Sequence, residues 1–82
     1  MEHMEQMNLI LKIQSAFNQF TKAEKKVAEY CLANREKVLF LSITDLAEAC
    51  GVGEASVFRF CRTLGLSGYQ EFKMQLSLSI HD

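Results

Sequence analysis

Apolar residues along the chain recur at spacings of three and four rather than two, the period of helices that bury one face. Leu9, Ile13, Ala16, Phe17 and Phe20 form one stripe, widened by Met7 and Ile10, and predict a first helix from about Met4 to Phe17 or slightly beyond. So broad a stripe suits packing on the domain and on a second chain. Thr21-Lys22-Ala23-Glu24 has the form of a capping box and opens a second helix, with Ala23, Val27, Tyr30 and Cys31 inward as far as Asn34. A short helical turn over Arg35–Phe40 follows and delivers Val38, Leu39 and Leu41 to the core. Ser42-Ile43-Thr44-Asp45 repeats the capping pattern for a third helix that ends at Cys50 or Gly51. A fourth runs from Gly53 or Glu54 to Leu64, with Gly65 as a left-handed terminator. Ser67-Gly68-Tyr69-Gln70 caps a fifth, whose inward residues are Tyr69, Phe72, Leu76 and Ile80.

The expected class is therefore all-α: five helices and a short helical turn in a single domain spanning residues 1–82. Residues 1–8 are expected to be partly disordered or a remnant of expression. Composition supports the class, with no proline and only four glycines. At 82 residues, a domain buries only about 60–65% of its unfolded surface, which leaves little for an elaborate catalytic cavity. Cys31, Cys50 and Cys61 lack metal-ligand spacing and read as reduced, buried thiols in a reducing compartment. His3 and His81 lie at the termini, a poor place for a ligand or base. No nucleophile–base pair, metal cluster or phosphate-cradling glycine loop is visible, so neither an enzyme nor a cofactor is expected. The absence of a membrane-spanning run or signal peptide gives a cytoplasmic expectation.

The chemistry concentrates between Leu46 and Phe60. A helix-turn-helix packs two short helices at about 90–120° through a three- or four-residue turn. It needs a small residue where the helices touch (Ala47), a turn residue tolerant of positive φ (Gly51), and an apolar corner plug (Val52). Leu46 and Cys50 complete the inner face of its first helix; Val57 and Phe60 supply that of the second. At about 100° per residue, Val57, Phe60, Cys61 and Leu64 cluster inward on the fourth helix. The opposite arc carries Ala55, Ser56, Arg59, Arg62 and Thr63. That is the surface a major-groove reader needs: slim at its start, with short hydroxyls and an arginine able to bridge guanine O6 and N7. Arg59 is the leading base or phosphate contact, and Arg62 a backbone anchor. Phe58, on the flank, either completes the core or touches a thymine methyl. Glu54 either serves the helix start or accepts from cytosine N4. Ser42, Thr44, Gly53 and Lys73 complete the expected DNA-binding set.

The net charge of −1 argues mildly against nucleic acid until it is divided. Residues 21–37 and 54–73 are each net positive, while Glu2, Glu5, Asp45, Glu48 and Asp82 lie elsewhere. Placement, not total, governs DNA binding. The weak overall charge still predicts modest affinity for a monomer. Lys22, Lys25 and Lys26 read first as a solvated face and second as phosphate contacts.

Three segments, Leu41–Ala47, Gly51–Gly65 and Gly68–Lys73, closely resemble the N-terminal domain of RpiR-type bacterial transcriptional regulators. The block Arg59-Phe60-Cys61-Arg62-Thr63-Leu64-Gly65, followed by Gly68-Tyr69-Gln70-Glu71-Phe72-Lys73, is its most specific part. The resemblance implies sequence-specific binding of double-stranded DNA and control of sugar or amino-sugar metabolism genes, usually as a homodimer or tetramer. It also implies a phosphosugar effector, bound by a downstream sugar-isomerase-type domain that is not read in these 82 residues. One departure stands out: Gly53 occupies a position usually held by serine, which puts a serine–phosphate contact there in doubt. The alternative to DNA readout is a helical protein-interaction or dimerisation module, because fold alone does not fix function.

Overall fold

The computed structural model describes residues 8–80, all of whose regular elements are helical. They are α1 (Leu9–Ala16), a 3₁₀ turn (Phe17–Gln19), α2 (Lys22–Ala33), α3 (Arg35–Val38), α4 (Ile43–Cys50), α5 (Glu54–Thr63) and α6 (Tyr69–Ile80). The all-α class and the order of five longer helices with one short helical turn agree with the sequence pattern.

The first helix differs from expectation at both ends. Asn8 adopts extended backbone, and its side chain accepts from the Leu11 N–H, so α1 starts at Leu9 rather than Met4. The Met7 side of the stripe and the expectation of disorder or an expression remnant over residues 1–7 lie outside the described residues. Asn8 itself belongs to the fold. At the other end, the chain tightens after Ala16 into the 3₁₀ turn, and Phe20 then extends at φ −72°, ψ 146°. That break frees Thr21 to cap α2. The hydroxyl of Thr21 accepts from the Glu24 N–H, while the Glu24 carboxylate accepts from the Thr21 N–H at 2.8 Å.

Helices α4 and α5 end alike. Gly51 (φ 74°) and Gly65 (φ 86°) take the left-handed conformation expected of them. In each case two bonds close the helix: Val52 N–H to Ala47 O with Gly51 N–H to Glu48 O, and Leu66 N–H to Cys61 O with Gly65 N–H to Arg62 O. These are Schellman caps, which satisfy carbonyls that a helix end otherwise leaves without partners. At the start of α6 Ser67 pairs with Glu71, not Gln70. Its carboxylate accepts from the N–H and hydroxyl of Ser67, at 2.8 and 2.9 Å. Those two donors hold the Glu71 carboxyl below its ordinary value.

The core runs through all six helices. Leu9 and Ile13 of α1, Val27 and Cys31 of α2, Val38 of α3, Leu46 of α4, Val57 and Phe60 of α5, and Phe72 and Leu76 of α6 are fully buried. A chain of rings stitches the elements together, with centroids 5.2 Å apart for Phe20–Phe60 and 5.5 Å for Phe60–Phe72, in tilted and edge-to-face geometries. The hydroxyl of Ser79 accepts from the Leu9 N–H at 3.0 Å, tying the ends of α1 and α6. Tyr69 donates to the Leu41 carbonyl at 2.7 Å and so pins the segment leading into α4. Cys31 and Cys61 are buried as expected, and burial pushes the Cys61 thiol up to about 12. Cys50, by contrast, is only half-buried, because it sits at the last residue of α4 where the turn begins.

Candidate nucleic-acid interface

The corner between α4 and α5 has the expected construction. Leu46 and Ala47 of α4 and Val57, Phe60 and Cys61 of α5 are buried, and Val52 packs half-buried at the turn. Burial of those positions forces the other arc of α5 outward: Glu54, Ala55, Phe58, Arg59 and Arg62 are exposed, and Ser56 is half-buried.

The starts of the two helices lie side by side. Ser42 caps α4 by accepting from the Asp45 N–H at 3.0 Å. Two residues on, the Thr44 hydroxyl donates to Glu54 Oε2 at 2.6 Å, bridging α4 to the first residue of α5. The Glu54 carboxylate is therefore directed across the corner rather than onto its own helix start. Gly53 caps α5 with backbone at φ −83°, ψ 162° and no side-chain bond. A Cβ there meets nothing within 4 Å. Gly53→Ser is accordingly expected to stabilise the fold by about a few tenths of a kcal/mol, read as a small rise in Tm. A fall in Tm overturns the assignment of Gly53 as an open cap position.

The two arginines are held differently. Arg59 is exposed, and its Nη2 lies 3.5 Å from the Ser56 hydroxyl, one turn earlier, a long contact. The Arg62 guanidinium sits 5.8 Å from the centroid of the Phe58 ring, within cation–π range. Phe58 is 44% exposed, and a Cβ added at Gly68 would lie 3.8 Å from its ring. It does not complete the core; it forms a platform under Arg62. That role is readable in principle from the i, i+4 spacing of aromatic and arginine on one helix.

Lys73 lies on α6, yet its ammonium is 3.4 Å from the Leu41 carbonyl and 5.1 Å from the Tyr69 ring, beside the Ser42 cap. Ser42, Thr44, Gly53, Glu54, Ala55, Ser56, Arg59, Arg62 and Lys73 thus gather around the α4–α5 corner and the outer arc of α5. Thr63 is exposed as well, but its hydroxyl is engaged within the fold. Its hydroxyl donates to Glu24 Oε2 at 2.9 Å, engaging the first turn of α2 at the far end of α5. The sequence offers no local signal for that contact, since the two residues are 39 positions apart. Lys25 is also engaged within the fold, 5.6 Å from the Phe17 ring, while Lys22 and Lys26 are exposed. Among the described residues no buried side-chain nitrogen or oxygen lacks a hydrogen-bond partner, and no helix is long and apolar enough to cross a membrane.

The family model described as the helix-turn-helix domain of the rpiR family matches residues 7–82. The chain belongs to that family. Curated rpiR-type relatives include the HTH-type transcriptional regulator HexR of Pseudomonas aeruginosa, 48% identical over 89% of this chain and 26% of its own length. HexR of Escherichia coli is 39% identical over 90% of this chain and 26% of its own length. Among solved structures, the Vibrio vulnificus NanR protein complexed with ManNAc-6P matches with a TM-score of 0.87 and 39% identity. That match covers 90% of this chain and 28% of NanR. The N-terminal domain of the Bacillus subtilis regulator YbbH matches with a TM-score of 0.80 and 31% identity, covering 83% of each chain. The present rpiR-type sequence thus spans about a quarter of the length of HexR and NanR, and 83% of the YbbH domain.

Proposed function

We propose that this rpiR-type domain binds double-stranded DNA sequence-specifically, with α5 as the recognition helix in the major groove. The observation that carries the reading is the outer arc of α5. A buried inner face, an unencumbered start at Gly53 and Ala55, and exposed Arg59 and Arg62 stand beside the capped start of α4. In such a docking the first turns of both helices approach the DNA. Arg59 is placed to read a base edge, most naturally guanine O6 and N7. Arg62, steadied on Phe58, and Lys73, beside Ser42, serve the phosphate backbone, which positions the protein without specifying sequence.

The proposal extends to regulation of sugar or amino-sugar metabolism genes, supported by the likeness to HexR and NanR, and to action in the cytoplasm, where bacterial DNA lies. ManNAc-6P in the NanR structure supports a phosphosugar effector for the intact regulator, bound outside the residues described here. A homodimer fits two half-sites. Met74 and Leu78, one turn apart on α6, and Leu11 on the α1 helix that packs against α6, expose apolar surface suited to that contact.

Selection of bound sites from random DNA by the intact protein tests the reading. A recurring motif is expected, with affinity falling by about 0.9 log unit per log unit of salt for each phosphate neutralised. Absence of any site preference at low salt, with association indifferent to salt, overturns DNA readout in favour of an interaction module.

A further inference from the structure

We infer that the hydrogen bond between Thr63 and Glu24 is a positioning device for the recognition helix, fixing the angle at which α5 enters the groove. The inference rests on the DNA-reading assignment above. Glu24 is 4% exposed, an unusual place for a carboxylate. Capping α2 does not require that burial: one oxygen suffices, and Oε1 supplies it by accepting from the Thr21 N–H. The second oxygen, Oε2, reaches out of α2 to the last residue of α5. Burying a carboxylate is costly unless its oxygens are paired, so the contact with Thr63 is part of what makes the site tenable.

The other end of α5 carries the same kind of tie, Glu54 Oε2 accepting from the Thr44 hydroxyl of α4. The recognition helix is therefore mounted at both ends by a threonine–carboxylate bond, each to a different neighbouring helix. Between them, Val57, Phe60 and Cys61 pack inward through apolar contact, which holds the helix against the core but is non-directional. Hydrogen bonds restrict both distance and angle. A helix of ten residues is about 15 Å long. A swing of about 5° around its start moves its far end by roughly 1.3 Å, and Arg59, halfway along, by roughly 0.7 Å, which exceeds the ~0.5 Å within which a binding group must be held. Tying the far end removes that freedom. Thr63 thus acts on readout through Arg59 and Arg62, without touching DNA.

The test compares the intact protein with Thr63→Val, Thr63→Ser and Thr21→Ala. Affinity for the selected site and for mixed-sequence DNA is measured at a temperature where circular dichroism finds each variant folded. Thr63→Val removes the donor at constant shape. It is expected to lower the ratio of specific to non-specific affinity by about tenfold, the discrimination carried by one base contact. Its salt dependence should stay unchanged, because no phosphate contact is lost. Thr63→Ser restores the donor and the ratio. Thr21→Ala weakens the α2 cap but spares the tie, so it should lower Tm and leave the ratio intact. If Thr63→Val does not fold, Thr63→Ala, which leaves room for a water on Glu24, reads the same quantity. Full discrimination by the folded valine or alanine variant overturns the inference alone, as does an equal loss in Thr21→Ala. A wild type with no site preference overturns the DNA-reading assignment and this inference with it.

Discussion

Replacing Arg59 with alanine is expected to erase preference among DNA sequences while leaving the thermal transition almost where it was. Arg59 is exposed, and its one side-chain hydrogen bond among the described residues is the long one to Ser56. Surface changes of that kind usually alter stability by no more than about 0.5 kcal/mol. A good bidentate contact to a base, by comparison, discriminates by about 1–3 kcal/mol, a factor of roughly ten to a hundred in relative affinity. Arg59→Lys separates charge from shape. Lysine keeps the positive charge but not the planar fork, so it should preserve the salt dependence and still lose most of the discrimination. Competition binding with the selected site and a mixed fragment, beside a thermal melt, measures both quantities. A large fall in Tm for the alanine variant overturns the placement of Arg59 on the outer arc; unchanged discrimination overturns its role as a reader.

Phe60, one position further along the helix, should behave in the opposite way. Its ring is fully buried and stands between those of Phe20 and Phe72. Phe60→Ala opens a cavity at the junction of α5, α6 and the segment leading into α2, at a typical cost of about 3–5 kcal/mol. A domain of 82 residues has a total stability of roughly 4–12 kcal/mol. One substitution therefore removes a large share of it. At about 4–8 °C per kcal/mol for a domain of this size, Tm should fall by roughly 12 °C or more, or the cooperative transition should disappear. Phe58→Ala provides the contrast, since that ring is 44% exposed and its loss opens no cavity. Denaturant or thermal unfolding of the two variants distinguishes them. Equal losses mean that the inner and outer faces of α5 are wrongly drawn.

Those faces were legible in the sequence because they depend on local information. The period of the apolar residues places Val57, Phe60, Cys61 and Leu64 on one side, and everything on the other side follows. The caps at Thr21 and Ser42 and the turns at Gly51 and Gly65 were legible for the same reason, since each is decided within a few residues. What escaped is tertiary. The stripe predicts a first helix to Phe17 or slightly beyond, but not that its last turn tightens into a 3₁₀ turn after Ala16 or that Phe20 then packs on Phe60. Thr63 falls on the outer flank of α5 by angle alone; only packing against α2 turns its hydroxyl onto Glu24. Phe58 lay undecided between core and surface by angle; in the fold it is 44% exposed and stands under Arg62.

The alternation of inner and outer positions within α5 has an evolutionary consequence. Gly51 and Gly65 end α4 and α5 through backbone geometry, and the inner face is secured by Val57, Phe60 and Cys61. Ala55, Ser56 and Arg59, which confront DNA in the proposed docking, therefore carry little of the folding energy. A gene duplicate can exchange Ala55, Ser56 or Arg59 one at a time, each intermediate remaining a folded protein with an altered taste in operators. Diversification of targets among paralogues need never pass through an unfolded ancestor.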